Sequence, residues 1–462
     1  MACFVQGITA YISGLVTDIH NTKDTAIWYK IQVVVKDVFW HVDRRYSDFE
    51  ALHRKLVETQ GIPRDNVVLP PKKLIGNKDP EFVEQRRAQL DIYLTNVLQL
   101  LGRNPPDDLA QFFNLHEYEI MFMLKKLAVD IFEKGDQILC SGTPFILSPY
   151  QIFAINERMK MAVPFLDSTD KRNDFTHIVD FCTNLKQLQI VGSNIPLGRS
   201  TIIPNQYDVD LSPFKSLEEI SFKMANFNKI AAIGVGRETV HRISVQNSHL
   251  ESTNELLLCD TVYKSFRDAG PSHVWPNLRS LHLSNNVIKS VEDIGKLAPK
   301  LRFFDLSFNQ LHTVYNLTSL PELEHVSYSG NVLSFIGCDM NVLLGNVTVL
   351  NMSQNQIENL NVFSKLYSLT VLNLSCNVIN DVDEVAHLSD LPCLEVLILT
   401  GNPVASTVDY RVRALAFFNE RANDISLDNE KASLSEVDQI SILQAIEQAR
   451  RTTLINQPRL AF

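Results

Sequence analysis

The stretch LRSLHLSNNVIKSVEDIGKLAPKLRFFDLSFNQL, Leu278–Leu311, holds one frame twice: Leu278, Leu281, Leu283, Asn286, Ile288, then Leu301, Phe304, Leu306, Asn309, Leu311. Four more copies follow, as Leu323, Val326, Tyr328, Asn331, Leu333; Val347, Leu350, Met352, Asn355, Ile357; Leu369, Leu372, Leu374, Asn377, Ile379; and Leu394, Leu397, Leu399, Asn402, Val404. The asparagines stand 23, 22, 24, 22 and 25 residues apart. Apolar residues two apart make a short strand with one buried face. The asparagine amide, with two donors and an acceptor, can satisfy backbone groups where the chain turns inward. One such coil is too thin to bury its own leucines, so the coils must stack into a parallel-stranded horseshoe. A series of amphipathic helices would need a 3.6-residue period, which this frame lacks.

This is the leucine-rich-repeat frame, and it sets the domain plan. Six regular repeats occupy 276–405. Fainter copies over 181–275 keep the spacing but lose the asparagine: Leu185, Leu188, Ile190 with Ser193; Leu217, Ile220, Phe222 with Ala225; Val240, Ile243, Val245 with Ser248. Atypical terminal repeats are common in solenoids, and residues 251–275 read as an insertion. Residues 406–462 read as a cap, with a helical run around Tyr410, Ala414 and Phe417. A last amphipathic helix follows, opened by a Ser433/Glu436 capping box and expected to pack through Val437, Ile440, Leu443 and Ile446.

The 462 residues carry 43 Lys plus Arg against 53 Asp plus Glu, a net charge of -10, and the amino-terminal 116 residues are balanced at 14 against 14. No domain has the basic surplus of a nucleic-acid binder. Seven scattered cysteines without C-x-x-C spacing read as free thiols. The amino terminus lacks the pattern of a secretory signal, and no apolar run is long enough to span a bilayer. A soluble, cytoplasmic protein is expected.

Residues 4–60 read as strands at Phe4–Leu15, Trp28–Val35 and Val38–Val42, with a hairpin at Lys36-Asp37 and then a helix that Ser47 could cap. Three features follow one another: Arg44-Arg45-Tyr46-Ser47-Asp48-Phe49, the run VVLPPKKLIG at Val67–Gly76, and Arg86-Arg87 ahead of Leu90 and Tyr93. A guanidinium binds phosphate oxygens bidentately, an ammonium acts as a point charge, and prolines stiffen the loop that presents it. In this order and spacing the set resembles the phox-homology (PX) family, over about residues 5–116. The resemblance implies that Arg45 grips a 3-phosphate, Tyr46 lies under the inositol ring, Lys72 or Lys73 meets the 1-phosphate and Arg86 bonds the ring hydroxyls. Leu74 and Ile75 would dip into the membrane interface. Arg86 is preferred to Arg87 because it lies four residues before Leu90. Residues 117–180 form a helical connector, in which Ile120, Leu124, Leu127 and Ile131 mark a long helix. The fold class is thus an α+β PX-type domain (1–116), the connector, and an α/β leucine-rich-repeat solenoid with a C-terminal cap.

No catalytic constellation or metal site emerges: Gly234-Val-Gly236 reads as a turn, and Asp381 with Asp383 lacks the rest of a calcium loop. No cofactor is expected. Partner binding falls to the concave face, where Phe303, His325, Val349, Val371 and Val396 form one column and Asp305, Ser327, Asn351, Asn373 and Ile398 the next. With LPPKKLIG, Phe132–Gly135 and Asp409–Arg411, the whole order of parts resembles the nischarin family, imidazoline-receptor-like scaffolds. That resemblance implies an endosomal, non-enzymatic adaptor. It would bind phosphatidylinositol 3-phosphate, integrin cytoplasmic tails and Rac/PAK-type signalling proteins, on early or recycling endosomes, and restrain cell migration. The alternative is a cytosolic repeat scaffold, regulating a phosphatase or cytoskeletal partner, that binds no lipid.

Overall fold

The computed structural model describes residues 7–16, 27–62, 67–72, 79–161, 171–258, 273–292, 294–334 and 340–455. The chain divides into two compact units, 1–185 with 191–213, and 186–190 with 214–462.

In the first unit, β1 (Thr9–Val16), β2 (Trp28–Val35) and β3 (Val38–Arg45) form an antiparallel sheet in that order. Lys36, at φ 53°, makes the expected hairpin turn, with Val35 opposite Val38. Along β2 every second residue is buried, and Tyr29, Ile31, Val33 and Val35 face the core. α1 (Tyr46–Gln60) buries Phe49, Leu52 and Leu56 at the 3- and 4-residue spacing of one helix face. Its N-cap is Arg45, whose N–H donates to Asp48 Oδ2 at 2.7 Å. Ser47 lies inside the first turn and is not the cap, because the helix already starts where β3 ends. α2 (Pro80–Leu101) begins with Pro80 after Asp79, whose carboxylate accepts from the Glu81 N–H, and buries Val83, Leu90, Tyr93, Leu94 and Val97.

The chain continues through α3 (Asp107–Phe112) and α4 (Leu115–Tyr118) into α5 (Ile120–Cys140), the long helix expected from its spacing. Gly135 lets Phe181, on Thr176–Asn184, come close: a Cβ there would lie 3.2 Å from Ile131 and 3.5 Å from the Phe181 ring. A further strand-like contact arrives from far along the chain. The His41 N–H donates to Arg199 O at 3.0 Å, the Thr201 N–H donates to Phe39 O at 2.9 Å, and Arg199 pairs with Asp43. The outer edge of β3, which would otherwise offer unpaired backbone groups, is covered over this stretch by residues 199–201.

In the second unit the strands Gln187–Val191, Glu219–Lys223, Arg242–Gln246, Ser280–His282, Phe303–Asp305, His325–Ser327, Val349–Asn351, Val371–Asn373, Val396–Ile398 and Ser426–Leu427 follow one another in one sheet. The pairing is parallel and in register from Glu219–Lys223 onward. Opposite the strands run short 3₁₀ turns such as Asn361–Phe363 and Val382–Leu388.

The asparagines hold the stack together. Asn355 donates to Tyr328 O of the preceding coil at 2.9 Å and to Met352 O and Ser353 O of its own, while its Oδ1 accepts from the Leu333 N–H at 3.1 Å. Asn309, Asn331, Asn377 and Asn402 repeat the pattern. At the two ends other residues take over. Ser248 Oγ accepts from the Ala225 N–H at 3.0 Å, and Asp428 Oδ1 accepts from Leu399 and Thr400. Gly330 needs its φ of +65° and its missing Cβ, since the Phe308 ring of the preceding coil lies 2.5 Å from where that carbon would be.

The cap helix spans Tyr410–Ala416. Arg411 donates to Leu427 O at 2.7 Å and pairs with Glu436 at 2.7 Å, so the Asp-Tyr-Arg motif closes the array. Ser433 and Glu436 form the expected capping box before the helix Leu434–Ile455. Of the four apolar positions expected to pack there, Ile440 is buried but Ile446 is 44% exposed. A step of three residues turns about 300° around a helix, so three such steps fan out instead of forming a stripe. Part of the insertion at 251–275 falls outside the described residues; Trp275, at its end, is buried and donates to Leu257 O at 3.1 Å.

Candidate functional site

The site begins where β3 passes into α1. Successive strand residues point to opposite faces, and this separates the two arginines. Arg44 is engaged with the backbone and side chains around α3: it donates to Phe112 O at 2.9 Å, Gln111 O at 3.2 Å and Asn114 Oδ1 at 2.7 Å. Burial pushes its pKa down, with Asp48 and Asp43 opposing that. Arg45 turns the other way, and its guanidinium lies over the ring of Trp28, its cross-strand neighbour, at 4.1 Å.

Helix phase separates the second pair. Arg87 is committed to Glu84, at 2.6 Å, and to Ile12 O. Arg86 is only 7% exposed and lies between the rings of Tyr46, at 4.5 Å, and Phe82, at 4.3 Å. Its Nε and Nη2 have no hydrogen-bond acceptor among the described residues. A buried guanidinium with two idle donors is costly unless an acceptor arrives, and phosphate or hydroxyl oxygens suit it. Burial raises the pKa of the Tyr29 hydroxyl, while the charge and hydrogen bond of Arg86 pull it back.

Tyr46 joins these groups to the proline run. Its hydroxyl donates to Pro70 O at 2.5 Å, and its pKa is raised by burial and by the nearby Glu50 charge. Between α1 and that run lies a cavity of about 630 Å³, lined by Tyr46, Glu50, His53, Arg54, Val67 and Pro70 among others. At its mouth Lys72 pairs with Glu50 at 3.1 Å, both ends being largely exposed. Thus Arg86 lies against Tyr46, whose hydroxyl reaches Pro70, Arg45 lies over Trp28, and Lys72 is paired with Glu50 of the helix that carries Tyr46. Lys73, Leu74 and Ile75 lie outside the described residues. Trp28, Phe82 and Glu50 were missed from sequence. Trp28, opposite Arg45 across the hairpin, was the one with a readable signal.

On the repeats, the residues of the two expected columns pair strand by strand. Phe303, His325, Val349, Val371 and Val396 are register partners, and so are Asp305, Ser327, Asn351, Asn373 and Ile398. Phe303 stacks on His325 at 5.5 Å and packs against His282 at 4.8 Å. Asp305 lies 3.8 Å from His282; burial alone would raise its pKa, but the nearby imidazole and the hydrogen bond from the Ser307 N–H hold it below the ordinary value. Among the described residues no group of three or more His, Cys, Asp or Glu side chains could hold a metal ion, and no helix is long and apolar enough to cross a membrane.

The PX domain family matches residues 33–116; the leucine-rich-repeat families match 276–321, as two copies, and 346–404. The chain is similar to human Kinesin-like protein KIF16B, 34% identical over 79 residues, 17% of this chain and 6% of that protein. It is similar to rat PX domain-containing protein kinase-like protein, 46% identical over 59 residues, 13% of this chain and 10% of that protein. It is also similar to bovine Leucine-rich repeat-containing protein 23, 31% identical over 191 residues, 36% of this chain and 55% of that protein. The chain therefore spans a tenth or less of the first two of these relatives and about half of the third. The arginine-lined site and the repeat sheet belong to one chain that joins a PX domain, of the phosphoinositide-binding type, to leucine-rich repeats, two binding modules in the manner of an adaptor.

Proposed function

We propose that this protein is a non-enzymatic adaptor that binds phosphatidylinositol 3-phosphate through its PX domain and a protein partner through the concave face of its repeats. The idle Arg86 donors, buried against the Tyr46 ring, are the observation that carries the lipid half. Arg45 takes the 3-phosphate, Tyr46 supports the ring, Lys72 or Lys73 meets the 1-phosphate, Arg86 bonds the ring hydroxyls, and Leu74 and Ile75 enter the interface. The partner half is supported by the apolar column Val349, Val371 and Val396 beside Phe303 and His325 and along Asp305, Asn351 and Asn373. The likeness to the nischarin family points to integrin cytoplasmic tails and Rac/PAK-pathway proteins as partners, early or recycling endosomes as the place, and restraint of cell migration as the outcome. Two modest affinities on one chain reinforce each other once both are engaged.

The test is a bridging assay with the full chain, in which vesicles containing phosphatidylinositol 3-phosphate recruit a labelled integrin-tail peptide only when the protein is present. Arg45→Ala should lose the vesicle and keep the peptide, and Phe303→Asp the reverse. Vesicle binding without peptide recruitment by the wild type would remove the integrin-tail assignment. A wild type that captures the peptide but ignores the lipid would leave a cytosolic repeat scaffold.

A further inference from the structure

Among the described residues that line the amino-terminal cavity, Glu50 is the one carboxylate beside otherwise neutral or basic side chains. It sits one helical turn after Tyr46, so both face the same side of α1. It pairs with Lys72 at 3.1 Å and, after burial, is the next cause of the raised Tyr46 pKa, so its charge reaches the groups offered to the ligand. An anionic headgroup that recruits Lys72 must first separate that ion pair. It then leaves the Glu50 carboxylate close to its own negative charge.

We infer that Glu50 is a specificity-determining residue that limits how much phosphate charge the PX site accepts. This rests on the phosphoinositide reading above and deepens it. Each further ring phosphate adds about 1.5 to 2 negative charges. A fixed carboxylate a few ångströms away repels that charge in proportion, so the penalty grows with phosphate number. Lys72 and Glu50 are both exposed, so the loss of their pairing is itself a small effect. The graded repulsion is the larger one, and it weakens as salt shortens the screening length.

The experiment compares the full-length wild type with Glu50→Gln, which keeps the side-chain shape and removes the charge. The probes are phosphatidylcholine vesicles carrying phosphatidylinositol 3-phosphate, 3,5-bisphosphate or 3,4,5-trisphosphate, at low and physiological salt, with soluble inositol phosphates as a parallel arm. Glu50→Gln should tighten binding by about threefold for each added ring phosphate at low salt, and by less at physiological salt. The same gradient in the soluble arm assigns the effect to the headgroup itself. A variant that binds all three lipids as the wild type does, or gains equally on all, overturns the role of Glu50 while leaving the PX reading intact. Failure of the wild type and the variant to bind any of them, in either arm, defeats both.

Discussion

In the PX domain neighbouring residues of identical type have opposite fates, whereas along the repeats distant residues share one fate. Arg44 and Arg45 are adjacent, yet Arg44 is spent on backbone carbonyls of α3 while Arg45 lies over Trp28 beside the site. Arg86 and Arg87 divide in the same way, one buried with idle donors and the other paired with Glu84. By contrast Asn309, Asn331, Asn355 and Asn377, spread over three coils' length, make the same hydrogen bonds to the coil before and to their own. The lesson is that a ligand site built once is specified by which way a side chain turns, and a surface built by repetition is specified by register.

The sharpest way to break this contrast is to remove one member of the repeated set. Asn355→Ala leaves buried carbonyls of two coils without donors and should cost about 2–4 kcal/mol, read by urea denaturation. A cost below about 0.5 kcal/mol would mean that the coils do not depend on the amide. Next comes the pair of arginines. Arg45→Ala should weaken binding to phosphatidylinositol 3-phosphate vesicles at least tenfold without moving the thermal midpoint, while Arg44→Ala should destabilise the domain by about 1–3 kcal/mol. The same behaviour from both variants would erase the sorting by strand face.

On the repeats, Phe303→Asp with Val371→Asp should abolish partner pull-down while leaving thermal stability nearly unchanged, since neither side chain is part of the buried core. Unchanged capture would move the partner elsewhere. The smallest effect concerns Asp305, whose folded pKa lies below its unfolded one. The stability it contributes is present above the unfolded value near 4 and is lost as pH falls through the folded one. Asp305→Asn should therefore flatten the acid limb of the stability profile below about pH 4, and an unaltered limb would contradict the assignment.

Much of this was legible in the sequence because the repeat frame states its own environment six times over. The faint copies at Leu188, Ile220 and Ile243 were legible for the same reason, and each is buried in the sheet. Arg45 and Arg86 stand apart from their neighbours in the sequence only through the family resemblance, while the structure commits Arg44 to carbonyls of α3 and Arg87 to Glu84. Three features had no local signal. The pairing of β3 with residues 199–201 joins segments about 160 residues apart, and Phe82 reaches Arg86 through helix phase. The Lys72–Glu50 pair forms across a loop. The N-cap was misread because serine is a good capping residue in general, whereas here the strand runs straight into the helix at Arg45.

The most direct measurement is co-sedimentation of the full chain, as wild type and Arg45→Ala, with vesicles carrying each phosphoinositide at two salt concentrations. The account predicts selective binding to phosphatidylinositol 3-phosphate by the wild type and its loss in Arg45→Ala. Equal sedimentation of both proteins, or none with any phosphoinositide at either salt, would contradict it.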